Sequence, residues 1–503
     1  MSSLIIKKFI KHNLKLFHEN HYKDNGKILI EFNGWSHAHI WMSYLANCLA
    51  KKYNSSLCAY EGYTLISSPL KFNLFKKIKF TLAKNFFGKY FKIYKSFGVS
   101  EFIRPKISLD IKKKSFAEFK KIRKIKTKKN ILNFKINKIL LGDLIYDTYL
   151  KNNNVNTVDL KDVKFWEFLF DCIKLYNFWS EYFKNNSIKS LIIVHPTYLY
   201  GIPMRIATSR KIPVYRATYN QITYISKNNH HMGKDFVNLP KIFEFFGELK
   251  KKKFLSLAKK KLENILDYKK TIKLKKKSHK TSIMIAMHNF YDSPHVFGNM
   301  LFPDFFEWLN YLVKLSDKTD YEWYFKPHPD NNEEDIKIVS KILGKNKNMK
   351  ILSTKDNHAT VLKKGIEFIL TCYGSVGYEY SYLGCTVINA CKENPHSAYQ
   401  FNLNPKTINE YKKIITNISN YKIKSNKKKV LELFFLRKLY LNSNWLSVDK
   451  NLKKKFGWKN DIYKPSMYKI WMQQMTLKKH HEILKKINNF IDTKKFKLFN
   501  KDL

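Results

Sequence analysis

The chain has 503 residues, enough for two or more domains with substantial cores, and 44% of them are hydrophobic, which excludes a disordered polycation. Its 94 Lys+Arg against 40 Asp+Glu leave a formal charge of +54, nearly all of the excess from Lys. That balance attracts anions, yet no folded RNA-binding signature accompanies it, so a Lys/Asn/Ile-biased composition is the main reading and no specific nucleic-acid partner is expected.

Residues 1–26 read as a short basic helix and a polar turn; the stretch lacks the apolar run and cleavage site of a secretory signal. Residues 27–33 (KILIEFN) form a compact strand-like run, followed by a Gly-Trp-Ser-His loop and helical spacing over 38–52. This is a first βα unit of a Rossmann-like domain, with His37 and His39 at the strand's carboxyl end. Residues 66–135 are rich in Lys and Phe and read mainly as a helical insertion, whose aromatic face suits either a core or an anionic membrane surface. A break at Gly142-Asp143 precedes Tyr146-Asp147, and an aromatic amphipathic helix follows over 163–186. A buried strand at 190–194 (SLIIV) ends in His195-Pro196, and helix and strand alternate again to about residue 225.

Residues 241–280 turn helical and very basic and read as a linker between domains. A second α/β domain starts with the strand TSIMIAM (281–287), continues through 323–330 (WYFKPHPD) and contains 365–395 (GIEFILTCYGSVGYEYSYLGCTVINACKENP). The expected division is therefore a basic helix (1–26), an N-terminal Rossmann-like domain (27–240), the linker (241–280), a C-terminal Rossmann-like domain (281–440) and C-terminal helices (441–503). No run reaches 18 apolar residues, and the six cysteines show neither CxxC pairs nor zinc spacing with His, so they read as reduced, buried thiols of a cytoplasmic protein.

Two strand ends in the second half carry groups that suit a phosphate. Lys326-Pro327-His328-Pro329 puts a cation and an imidazole at a strand's carboxyl end, where open α/β sheets bind ligands. Gly374, Ser375 and Gly377 lie where a helix begins, with free N–H groups and little side-chain bulk. A nucleotide phosphate site is the first hypothesis. Structural alternatives stand beside it: His328 as a helix cap, the glycines as a tight turn, Glu379 as a solvated helix residue, and Asn394-Pro395-His396 as a chain reversal.

These motifs sharpen into a resemblance. Lys326-Pro327-His328-Pro329, then Gly374-Ser375-Val376-Gly377-Tyr378-Glu379 and Leu383-Gly384, resemble bacterial capsule-synthesis transferases, sialyltransferase-type enzymes and CDP-glycerol glycerophosphotransferases. The resemblance covers about residues 281–415 and is architectural over 27–225. It implies a glycosyltransferase-B (GT-B)-like fold: α/β, two Rossmann-like domains facing across a cleft, with helical insertions and a helical tail. It also implies roles. His328 and Lys326 would meet the donor phosphate, Ser375 with the N–H groups around Gly374 and Gly377 would hold it, and Glu379 would accept from ribose hydroxyls. No Asp-x-Asp motif is present, so neither metal nor cofactor is expected. A single Ser375 in place of a Ser-Ser pair speaks against a CMP-sialic acid donor.

A catalytic base would come from the opposite wall, with His37, His39, Asp143, Asp147 and His195 as candidates. The function these features imply is transfer of a sugar from a nucleotide-activated donor to a glycan or lipid-linked acceptor, in bacterial surface-polysaccharide synthesis, with a peripheral inner-membrane location as an option for the basic helices. Three alternatives stay open at this level: a non-hydrolysing UDP-sugar 2-epimerase-like enzyme, a basic binder of polyanions or membranes, and a transferase that has lost its base.

Overall fold

The computed structural model describes residues 2–17, 25–61, 88–218, 220–276, 278–328, 333–344, 348–446 and 464–493, together with 495, 497 and 498. Much of the basic aromatic stretch (62–87), Pro329-Asp330 and residues 447–463 lie outside them.

Apolar runs bounded by turn residues become strands, and parallel pairing is enforced by the helices between them. The first sheet contains β1 (Lys27–Phe32), β2 (Ser56–Glu61), β3 (Val99–Ile103), β6 (Ile188–Ile193), β7 (Val214–Thr218) and β8 (Gln221–Ile225), in the order β3-β2-β1-β6-β7-β8. All neighbours are parallel except β7 and β8. A two-residue hairpin pair, β4 (Lys135–Ile136) and β5 (Ile139–Leu140), stands apart. The second sheet is fully parallel: β9 (Ser282–Ala286), β10 (Glu322–Lys326), β11 (Met349–Ile351), β12 (Phe368–Thr371) and β13 (Thr386–Asn389), in the order β11-β10-β9-β12-β13. Both sheets are built alike. The chain winds outward from a central strand, then returns to its other side, which creates a crevice between β1 and β6 in one domain and between β9 and β12 in the other. Open α/β sheets bind ligands at such reversals, outside the carboxyl ends of the strands.

The two Rossmann-like sheets and the helical tail expected from the sequence are present. Three boundaries differ. Residues 66–135 are not simply a helical insertion, because β3 lies within them and closes one edge of the first sheet. The basic stretch 241–280 is not a free linker: Phe254, Ala258, Leu262 and Leu266 of the helix Glu248–Leu266 are buried in the core of the second domain. The apolar positions of that helix recur every three to four residues beneath a solvated lysine face, and the lysines masked the pattern.

The third difference is at the ends. Helices Ser466–Gln474 and Leu477–Thr493 return to the first domain, where Met467, Trp471, Ile483 and Ile487 share a core with Trp41 and Leu45 of the helix Ser36–Tyr53. The N-terminal helix Ser2–Phe17 adds Ile6, Phe9 and Phe17 to the same core, so its apolar face is used inside the protein. Leu498 N–H donates to Ile222 O at 3.1 Å, so the tail also covers the edge strand β8. Among the described residues no helix is long and apolar enough to cross a membrane. All six cysteines are buried and unpaired, and burial pushes the thiols of Cys48, Cys58, Cys385 and Cys391 up to about 12.

If the tail is part of the first domain's core, Trp471→Ala should cost about 3–5 kcal/mol of global stability. Urea unfolding followed by near-UV circular dichroism measures this, and an unchanged midpoint would show the tail to be peripheral.

Candidate functional site

The crevice of the second sheet holds His288 and the Gly374-Ser375 turn, because they follow β9 and β12 directly. His288 is buried against Phe305, with ring centroids 4.7 Å apart, and its Nε2 lies 3.3 Å from Thr371 Oγ1. Burial, with the neighbouring His328, lowers its pKa to about 3, so it is a neutral imidazole. His328 follows β10 and approaches His288 closely enough to disfavour its charge. His288 lies next to both His328 and Gly374, and the sequence reading missed it because its position at the reversal depends on strand order.

The remaining donor-side residues differ in role. Lys326 Nζ donates to Ser353 O at 3.2 Å and Asp356 O at 2.7 Å, so its ammonium pins the loop before the helix His358–Lys363 instead of standing open to an anion. Gly377 is required by packing: a Cβ there would lie 2.4 Å from the His396 ring. Ser375 is exposed at the start of the helix Val376–Tyr382 and makes no capping bond with its side chain. Glu379 sits within that helix and meets His358 Nε2 at 3.1 Å.

On the opposite wall, His37 begins the helix after β1 and His195 follows β6, so both flank the first crevice. Trp35 packs against both rings, at 6.1 Å from His37 and 4.7 Å from His195. Burial, then Arg216 and His37, hold His195 at about 4, and its Nδ1 has no hydrogen-bond partner. It is therefore a neutral imidazole at neutral pH. The loop is set by Glu31, whose carboxylate accepts the Val194 N–H at 2.9 Å.

Two base candidates fall away. His39 is fully buried, its Nδ1 2.6 Å from Tyr468 Oη and its Nε2 2.9 Å from Asn33 O, so it ties the first strand to the C-terminal tail. Asp143 is buried in a bidentate pair with Arg205 (2.5 and 2.6 Å) and also meets His231 Nε2 at 2.7 Å. Those partners overcome burial and hold its carboxyl well below the usual range, which makes it a poor base. The helix periodicity that aims Asp143 inward also aims Asp147 inward one turn later, where it bonds His295 of the second domain.

The feature the sequence reading missed lies between the crevices. Phe435–Tyr440 forms a π-helical turn, a distortion frequent at functional sites, carrying Arg437 and Lys438. Arg437 lies over Phe236, 4.9 Å from the ring centroid, beside Tyr378 and Glu379, and its Nη1 is buried with no hydrogen-bond partner. Lys497, almost wholly buried, meets Asp235 at 3.1 Å, and Arg216 of β7 meets the same carboxylate at 3.6 Å. Four cations thus share two carboxylates, Asp235 and Glu379. Burial lowers the pKa of Arg216, Arg437 and Lys497, which means that the folded protein carries these charges at a cost an added anion would offset, while Lys438 beside them is exposed. A signal was present: the chain has six arginines among its 94 Lys+Arg, and Arg216 and Arg437 are two of them. Among the described residues no three His, Cys, Asp or Glu side chains are placed to hold a metal ion.

No protein-family model matches the chain, and no curated protein matches it significantly. Solved structures do align along most of its length. UDP-GlcNAc 2-epimerase from Neisseria meningitidis bound to UDP-GlcNAc is 11% identical, covering 85% of this chain and 100% of that one at a TM-score of 0.24. A glycosyltransferase from Rickettsia africae is 11% identical, over 93% and 99%, at 0.25. Acinetobacter baumannii MurG is 9% identical, over 92% and 99%, at 0.21. Likenesses this distant carry no argument about chemistry, and the site stands on its own geometry.

Asp143→Asn should leave Arg205 buried with half its partner and cost about 3 kcal/mol of stability. Chemical denaturation reads it. Retained stability with lost activity would restore Asp143 as a catalytic candidate.

Proposed function

We propose that this protein is a glycosyltransferase that takes a nucleotide-activated sugar and passes it to a glycan or lipid-linked acceptor, in the synthesis of a bacterial surface polysaccharide. One observation carries the reading: the cations of Arg216, Arg437, Lys438 and Lys497 gather beside the Glu379 helix with fewer carboxylates than charges and with Arg437 Nη1 unpartnered. Such a group suits the phosphate of a leaving nucleotide, whose charge grows as the glycosidic bond breaks. The resemblance at Lys326–Pro329 and Gly374–Glu379 supports the same class and the surface-polysaccharide role.

In this reading His328 and the Gly374-Ser375 turn line the phosphate, Arg437 and Lys438 balance its charge, and Glu379 accepts from ribose hydroxyls. Gly377 serves by admitting His396, and Lys326 by fixing the loop beside the nucleotide. His195 is the base, with His37 beside it: the acceptor hydroxyl gives its proton to the neutral imidazole as its oxygen bonds the sugar carbon, and the electron pair of the broken bond leaves with the phosphate. The chain's own cations supply the charge balance. Trp35 and the interdomain contacts exclude water.

The test is a thermal-shift screen against CMP, CDP, UDP, GDP and ADP at low and high salt. One nucleotide class should raise Tm by several degrees. The shift should disappear in Arg437→Gln and His328→Ala and persist in His195→Ala. Equal stabilisation by every polyanion, abolished by salt and unchanged in the variants, would replace the transferase with a basic binder. Conversion of a nucleotide sugar with no acceptor present would favour an epimerase.

A further inference from the structure

A second feature lies between the domains, on the other side of the turn Met232–Phe236. It is a cavity of about 630 Å³, the size of a small oligosaccharide, lined from the first domain by Lys129, Asn133 and His231 and from the second by His295, Asn299, Lys392 and Lys406. The turn separates it from the cation cluster, with His231 facing the cavity and Asp235 engaging Arg216 and Lys497.

His295 is the informative residue. It is 7% exposed, and its Nδ1 lies 2.6 Å from Asp147, which also accepts the His295 backbone N–H at 3.1 Å. Two bonds from one carboxylate fix both ring and backbone, and Nε2 is left buried without a partner. An unpartnered imidazole nitrogen in a cavity wall is costly unless a ligand meets it. Asp147 favours the protonated ring against burial, so the nitrogen is also suited to meeting an anion or hydroxyl.

The rest of the lining states the ligand's chemistry. Lys129, Lys392 and Lys406 form no ion pair among the described residues, and Asp143, the carboxylate in this wall, is already matched by Arg205. Asn133, Asn299 and Asn409 add amides that can both donate and accept, as sugar hydroxyls require. We infer that the cavity is the acceptor-side subsite for an acidic glycan, with the three lysines on its carboxylates and a hydroxyl hydrogen-bonded to His295 Nε2. The assignment rests on the transferase reading for its place in the reaction, but not for its chemistry.

Isothermal titration of the full chain tests it with three probes: trigalacturonate, neutral maltotriose and inorganic tripolyphosphate. Trigalacturonate should bind at least about tenfold tighter than maltotriose, a difference of about 1.4 kcal/mol. The triple variant K129A/K392A/K406A should lose that margin. His295→Asn, whose amide can still donate to Asp147, should keep the wild-type Tm and weaken trigalacturonate several-fold. No trigalacturonate binding, equal binding of maltotriose, or an unaffected triple variant would overturn the inference. Tripolyphosphate binding as tightly as trigalacturonate would show charge attraction without a sugar site and overturn it as well. A selective nucleotide shift in the wild type, with no trigalacturonate binding to it, would sink this inference alone. Glycan binding with no nucleotide shift in the wild type would sink the transferase reading and leave the subsite.

Discussion

Asp143 and Asp147 stand one turn apart on the buried helix Gly142–Asn153, and each holds a different domain. Asp143 ties the helix to its own domain through Arg205, while Asp147 reaches across to His295. Between them Tyr146 donates to Asp304 at 2.5 Å, and Thr157 donates to the same carboxylate at 2.6 Å. Asp304 also caps the helix Phe305–Ser316, so the contact that joins the domains is built into the second domain's own secondary structure. Buried carboxylates are tolerated only when their acceptor positions are filled. The relative placement of the domains is therefore fixed by buried hydrogen bonds to Asp147 and Asp304.

That placement draws a few buried cations into the junction of a protein otherwise rich in solvated lysine. Solvated lysines on helices such as Glu248–Leu266 are screened and contribute little to recognition. Arg216, Arg437 and Lys497 differ because they are drawn into the junction, where burial lowers their pKa and fewer carboxylates than cations oppose them. A phosphate brought into that space meets charge that water does not screen. His195 and His288, each after a strand at its sheet's reversal, are neutral rings, since burial removes their protons.

The two-sheet architecture was legible because β9, β12 and β13 are unbroken apolar runs with turn residues at both ends. The His328 and Gly374-Ser375 positions followed from the same grammar, since strand ends in parallel sheets converge. What escaped were facts of three-dimensional proximity. His39 looked like a loop residue, but its helix begins at Ser36 and carries it into the core beside Tyr468. Lys326 looked like a phosphate ligand, but two carbonyls lie nearer. Arg437 and Lys497 lie more than 200 residues beyond Asp235, and no local pattern links them. Gly377 read as room for a phosphate and is room for His396.

The most direct measurement is a crystal structure of the protein soaked with the nucleotide that stabilises it best. The account predicts phosphate density within hydrogen-bonding distance of Arg437 Nη1 and His328, at the carboxyl ends of β10 and β12. Density at exposed lysines alone, with Arg437 still unpartnered, would contradict it.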